Sequence, residues 1–199
     1  MFNGIVTHQG LFAGYRRGRQ EMLVEAPGVA GKLGPGDSLA VNGVCLTLLK
    51  AEKNVLHFNL SRETLSRSNL GALAPRDRLN LEMPLTLASP LSGHLVTGHV
   101  DAVGKVLRTE ERRPGRRLTV SFPPESRPYL VPKGSVAVNG VSLTIAALGP
   151  SSMEIELIPL TLAETNLGGL RSGSAVNIEC DIIGKYVYNW LVRERKASR

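Results

Sequence analysis

Ser38-Leu-Ala-Val-Asn-Gly-Val-Cys-Leu-Thr47 returns as Ser135-Val-Ala-Val-Asn-Gly-Val-Ser-Leu-Thr144, with two substitutions in ten positions. At the same offset Thr64-Leu65, Asn69-Leu70-Gly71 and Asn80-Leu81-Glu82 recur as Thr161-Leu162, Asn166-Leu167-Gly168 and Asn177-Ile178-Glu179. A repeat filling about half the chain is too long for a solenoid unit of roughly 20 to 50 residues and long enough to fold as a small domain. A looser match, Phe2-Asn3-Gly4-Ile5-Val6 against Val100-Asp101-Ala102-Val103-Gly104, predicts an equivalent first strand in each half, with the second copy starting near His94. The expected organisation is a first domain over residues 1–93, a second over 94–184 and a tail over 185–199.

Inside each copy, β-rich runs flank Asn42-Gly43 and Asn139-Gly140, the dipeptide that favours a tight two-residue hairpin. The runs beginning at Val55, Arg78, Met153 and Ala175 alternate on a two-residue period, as half-buried strands do. Short helical turns are expected at residues 63–67 and 162–165. Each copy offers about six strands, and closing them into a barrel removes exposed edges, so the predicted class is all-β. The tail differs: Tyr186 or Val187, Trp190, Leu191 and Glu194 recur at helical spacing, which predicts an amphipathic helix that caps a domain or joins subunits.

Composition agrees, with 21 Gly and 12 Pro in 199 residues punctuating many short elements. The net charge of +7 raises nucleic acid as a partner. Its arginines cluster in turn-like segments (Arg16, Arg17 and Arg19; Arg112, Arg113, Arg116 and Arg117) and in the tail (Arg193, Arg195, Lys196 and Arg199), with few aromatics for stacking bases, so neither nucleic acid nor membrane is expected as a partner. Cys45 and Cys180 form no metal-ligand motif and no disulfide scaffold. Met1-Phe2-Asn3-Gly4 has no basic or apolar leader character, and no stretch approaches about 20 apolar residues, so a cytoplasmic protein is expected.

No phosphate loop, dinucleotide fingerprint, nucleophile elbow or metal motif is present in the sequence. What chemistry there is must come from polar residues on strands. Cys45 and Thr47, like Ser142 and Thr144, alternate with Leu46 and Leu143, so each pair shares a strand face opposite its leucine. A single such residue commonly bonds turn backbone, but repetition at equivalent positions points to two related ligand sites, and the thiol-for-hydroxyl difference suggests distinct donor and acceptor roles. His94 and His99, read as strand residues five apart, fall on opposite faces and make no metal pair.

Taken together, Met1-Phe-Asn-Gly-Ile-Val6, Val41-Asn-Gly-Val-Cys-Leu-Thr47, Gly93-His-Leu-Val-Thr-Gly-His-Val-Asp101, Val138-Asn-Gly-Val-Ser-Leu-Thr144 and Val176-Asn-Ile-Glu-Cys-Asp181 resemble the riboflavin synthase family over nearly the whole chain. The resemblance implies two tandem six-stranded Greek-key barrels plus a C-terminal α-helix that assembles a homotrimer, with active sites between barrels of neighbouring subunits. It implies dismutation of two 6,7-dimethyl-8-ribityllumazine molecules to riboflavin and a ribitylamino-pyrimidinedione by four-carbon transfer, without metal or added cofactor, and association with lumazine synthase. The other reading is a non-catalytic lumazine- or flavin-binding paralogue.

By position, the resemblance places Gly4, Ile5, Val6, Cys45, Leu46, Thr47, Asn59, Leu60, Ser61, Arg62, Glu63, Thr64, Gly98, His99 and Val100 at or beside the first site. Ser142, Leu143, Thr144, Glu156, Leu157, Ile158, Pro159, Leu160 and Thr161 are their counterparts, and Lys133 matches a lysine that reaches ligand across the subunit boundary. Cys45, Ser142, Thr144, His99 and Asp181 are the implied catalytic set. The chain departs from the family's usual residues at Asn3, Asn59, Asn139, Leu160 and Asn189, and Asn59 and Asn139 replace carboxylates that could serve as bases.

Overall fold

A computed structural model describes the backbone of residues 1–197 and side chains through Glu194, so Arg199 and the side chains of Arg195 and Lys196 in the basic tail lie outside the described residues. The first copy contains β1 (His8–Arg16), β2 (Glu21–Glu25), β3 (Ser38–Val41), β4 (Val44–Glu52), β5 (Val55–Asn59), α1 (Arg62–Arg67) and β6 (Arg78–Glu82). The second contains β7 (Ala102–Arg112), β8 (Gly115–Ser121), β9 (Ser135–Val138), β10 (Val141–Leu148), β11 (Ser152–Leu157), α2 (Pro159–Glu164) and β12 (Ala175–Cys180), and α3 (Ile182–Ala197) ends the chain. All pairings are antiparallel and close two six-stranded barrels, β1-β2-β5-β4-β3-β6 and its equivalent β7-β8-β11-β10-β9-β12. Neighbours β2–β5 and β3–β6 are not consecutive in sequence, which is the Greek-key crossover.

The hairpins form as their residues require. Asn42 and Gly43 have φ of 47° and 77°, and Asn139 and Gly140 have 47° and 78°, the doubly left-handed turn whose twist matches paired strands. Bulges recur as well, between Leu48 and Lys50 and between Ile145 and Ala147, bending β4 and β10 alike. Each barrel holds its own core, one around Phe12, Met22, Leu39, Leu48 and Phe58, the other around Val106, Leu118, Val136, Ile145 and Ile155. A third, small cluster of Phe2, Ala40, Val96 and Ala137 lies between the barrels.

That third cluster corrects the repeat at its start. Phe2 pairs antiparallel with Val96, so the equivalent of Phe2-Asn3-Gly4-Ile5-Val6 is Val96-Thr97-Gly98-His99-Val100 and not residues 100–104. These lead segments lie outside the named strands, and the first strands proper are β1 and β7. The connection from the first strand to the third is longer in the second copy, so one fixed offset misplaces the lead. His94 and His99 sit on the irregular segment joining the barrels, so the strand-face argument about them does not apply.

The barrels meet through a reciprocal asparagine seam. Asn69 N–H donates to Asn177 Oδ1 at 2.6 Å and Asn166 N–H to Asn80 Oδ1 at 2.7 Å. Asn80 Nδ2 donates to the Asn139 carbonyl at 2.9 Å and Asn177 Nδ2 to that of Asn42 at 2.8 Å. Gly43 and Gly140 touch at the centre, where a Cβ on either would come within 2.6–2.7 Å of the other's backbone nitrogen. Asn139 is therefore a seam residue, buried at 2 % exposure and bonded to Asn69, Asn166 and Asn177.

Candidate active site

Lead segments and β4/β10 build two equivalent clefts. In the first, Cys45 N–H donates to the Gly98 carbonyl at 2.8 Å; in the second, Ser142 N–H donates to that of Gly4 at 2.8 Å. A Cβ on Gly98 would lie 2.5 Å from Cys45 Cβ, and one on Gly4 2.6 Å from Ser142 Cβ, while both glycines hold positive φ near 80° and 75°. Close approach and left-handed backbone both demand glycine there.

Around Cys45 the structure gathers Val44, Ser61, Glu63, Thr64, Arg67, Ser68, Gly98, His99 and Val100 into a cavity of about 370 Å³. Ser61 caps α1 by accepting from Thr64 N–H at 2.9 Å, which fixes the turn that carries Glu63, Thr64 and Arg67 to the rim. Of the fifteen residues expected at the first site, seven line this cavity (Cys45, Ser61, Glu63, Thr64, Gly98, His99 and Val100), with Val44, Arg67 and Ser68 added, whereas Gly4 packs against Ser142 and carries Ile5 and Val6 to the other cleft. Thr47 lies two residues beyond Cys45 on an exposed part of β4, while Leu46 and Leu60 point into the barrel core. Asn59 and Arg62 are exposed outside the cavity.

The second cleft is the repeat's counterpart, with Val141, Ser142, Ile158, Leu160, Thr161, Gly4, Ile5 and Val6 in equivalent places. Its rim is different in chemistry: Ile158, Leu160 and Ile5 are exposed at 59 %, 65 % and 41 % where the first site has Ser61, Glu63 and His99. Thr144 is exposed two residues beyond Ser142, Leu143 packs against the core, and Leu157 is buried within it. Pro159 opens α2. Glu156 is exposed on β11 and held by Arg117 Nε at 2.6 Å. Lys133 is exposed at the turn leading to β9, its N–H donating to Ile145.

Ser142 carries a partner that sequence reading did not assign to the site. His94 Nδ1 is hydrogen-bonded to Ser142 Oγ at 2.7 Å, whereas His99 lines the Cys45 cavity. Burial holds the His94 imidazole below its ordinary pKa of 6.5, against the raising pull of the Asp181 and Glu179 charges, so it is neutral at pH 7. Its Gly93-His94 setting was visible in the sequence, but only the packing of the connecting segment brings it to β10. Asp181 accepts from Ile183 N–H at 2.9 Å at the start of α3. Cys180 is buried, which pushes its thiol up to about 12, leaving Cys45 as the cysteine facing a cavity.

The described residues contain no group of three or more His, Cys, Asp or Glu side chains arranged to hold a metal, and no helix long and apolar enough to cross a membrane. The Arg112, Arg116 and Arg117 side chains pair with Glu110, Glu111, Glu154 and Glu156 rather than forming an open basic stripe.

Two closed barrels with paired clefts define a duplicated small-ligand-binding protein, and the lumazine binding domain model matches the chain twice, over residues 3–84 and 97–181. A riboflavin synthase of Mycobacterium bovis is 40% identical over 198 residues, covering 94% of this chain and 96% of that protein. One of Bacillus subtilis is 36% identical, covering 96% and 90%. The chain belongs to the riboflavin synthase family. The crystal structure of LumP complexed with riboflavin superposes with a TM-score of 0.83 at 24% identity, over 90% of this chain and 99% of that one, which is a likeness of fold.

Proposed function

We propose that this protein is a riboflavin synthase, transferring a four-carbon unit between two molecules of 6,7-dimethyl-8-ribityllumazine to give riboflavin and 5-amino-6-ribitylamino-pyrimidinedione. The end-to-end match to riboflavin synthases at 34–40% identity carries this reading. Two clefts on one skeleton supply two places for the two identical substrates, and their unlike rims supply the asymmetry that a dismutation needs.

The substrate's exocyclic methyl is acidic because its anion delocalises into the pteridine, so a moderate base suffices. Ser142 with neutral His94 is such a base: the imidazole accepts a proton relayed through the hydroxyl and is positioned by burial. Cys45 offers a nucleophile or hydrogen-bonding group in the first cleft, with His99, Thr64 and Ser61 to orient ligand edges and hydroxyls. Thr144, Asp181 and Lys133 belong to the same reading as groups reaching the second cleft from its margins or from a neighbouring subunit.

A homotrimer fits the exposure of the α3 apolar face, and the open second cleft fits a site completed by a neighbouring copy. A cytoplasmic setting and association with lumazine synthase belong to the same proposal, the latter checked by co-sedimentation of the two proteins. A binding protein without turnover is the competing reading, and the Ser142–His94 pair favours the enzyme. The deciding experiment incubates purified protein with the lumazine, without metal or nucleotide, and follows riboflavin fluorescence. Riboflavin at one equivalent per two lumazines, lost in a Cys45→Ala/Ser142→Ala double variant, is expected; binding without product overturns the enzymatic reading.

A further inference from the structure

Two buried glutamates sit at equivalent positions at the ends of β6 and β12, Glu82 at 5 % and Glu179 at 3 % exposure. Neither contributes to the chemistry above, yet each binds backbone in the same way. Glu82 Oε1 accepts from Asn3 N–H at 2.8 Å and its Oε2 from Gly4 N–H at 3.0 Å. Glu179 Oε1 accepts from Thr97 N–H and Thr97 Oγ1, both at 2.7 Å, and its Oε2 accepts from Gly98 N–H at 3.0 Å. A carboxylate bridging two adjacent backbone N–H groups fixes a peptide more firmly than a neutral acceptor.

The two grips are crossed between barrels. Glu82 belongs to the first barrel, but the Gly4 it holds accepts from Ser142 in the second. Glu179 belongs to the second barrel, but the Gly98 it holds accepts from Cys45 in the first. With no room for a Cβ between Gly98 and Cys45, or between Gly4 and Ser142, a displaced lead segment must displace the cleft wall with it.

We infer that Glu82 and Glu179 are positioning residues that act crosswise, each carboxylate in one barrel setting the geometry of the cleft in the other. Each cleft then assembles only when the barrels are docked through the asparagine seam, which gives a physical reason for both barrels to lie on one chain. The inference rests on the clefts being the lumazine sites, but its geometric core does not.

The test compares Glu82→Gln and Glu179→Gln in the full chain, because glutamine retains one acceptor oxygen and turns the other into a donor facing an N–H. Cys45 is the reporter, since Cys180 is buried; iodoacetamide labelling is followed by mass spectrometry with and without 6,7-dimethyl-8-ribityllumazine. Glu179→Gln is expected to change the ligand-free alkylation rate of Cys45 and to weaken protection by lumazine by about tenfold, the scale of one lost hydrogen bond to a charged group. Glu82→Gln is expected to leave both readouts at the unaltered chain's values while lowering kcat. Thr97→Ala, which removes one bond to Glu179, should shift Cys45 in the same direction, and Thr97→Ser should restore it; this pair decides the question if either glutamine variant fails to fold. Equal effects of both glutamine variants on Cys45, or a larger one from Glu82→Gln, overturn the crosswise assignment. Should lumazine fail to protect Cys45 in the unaltered chain, the site reading fails, and the ligand-free rates still judge the coupling.

Discussion

At Ser142 the proposed chemistry rests on a contact between residues far apart in sequence, His94 Nδ1 to Ser142 Oγ at 2.7 Å. Replacing either side, by Ser142→Ala or His94→Gln, is expected to lower kcat by about 10²-fold, the lower range for a positioned acid–base group, while changing lumazine affinity little. Because burial keeps the His94 pKa below 6.5, the proton-accepting form persists at neutral pH and is lost only on acidification. The acid limb of kcat should therefore lie below pH 6.5 and disappear in His94→Gln; a limb at or above 6.5 in the unaltered enzyme argues against His94 as the base. Glu82 works in the opposite sense on stability. Burial raises its carboxyl from 4.5 to about 7, against the N–H groups of Asn3 and Gly4 that favour the charged form, so between those values the folded protein holds a proton that the unfolded chain releases, and the two-oxygen grip on Asn3 and Gly4 is fully charged only above about 7. Its stabilising contribution is complete below pH 4.5 and lost as pH rises through about 7. Melting curves across that range should show a decline in the unaltered chain relative to Glu82→Gln, and parallel curves count against the shift.

Among elements, the Asn-Gly hairpins were legible from local sequence alone, because two successive left-handed residues select asparagine and glycine for local steric reasons. Their second role was not legible. The hairpin side chains reach across the seam, Asn42 Oδ1 accepting from Asn166 Nδ2 and Asn139 Oδ1 from Asn69 Nδ2, and partners 124 or 70 residues away leave no periodic trace in sequence. Asn80→Ala leaves the Asn139 carbonyl and the Asn166 N–H without their bonds in a buried place, so a loss of roughly 2–5 kcal/mol in unfolding free energy is expected, measured by denaturant titration. Asn139→Asp removes the donor to Asn166 Oδ1 and sets a negative charge 3.3 Å from it. Stability should fall while KM for lumazine holds, since Asn139 touches the seam and not a cleft. The lead segments show the same limit: pattern matching paired Phe2 with Val100, whereas backbone pairing shows that Val96 is its partner.

For the whole molecule, α3 packs through Tyr188 against Tyr129 and leaves its other apolar residues uncovered. Tyr186, Val187, Trp190 and Leu191 are 73 %, 52 %, 61 % and 45 % exposed, a contiguous apolar face that a lone protomer leaves in water. Light scattering is expected to give a trimer, and Trp190→Glu to shift it toward monomer with loss of activity, because the second cleft is then left open. A monomeric, fully active Trp190→Glu variant counts against sites shared between subunits.

The sequence by itself determined the duplication, the all-β class, the terminal helix and the Cys45/Ser142 pairing, because these rest on local propensity, two-residue alternation and self-similarity, which are written residue by residue. Tertiary structure alone decided that each lead segment crosses to the other barrel, that His94 rather than His99 meets Ser142, that Asn139 is a seam residue, and that Leu46, Leu60 and Leu157 face the core. Those outcomes depend on how two closed barrels dock, a long-range arrangement set by packing and by buried hydrogen bonds that no run of neighbouring residues encodes.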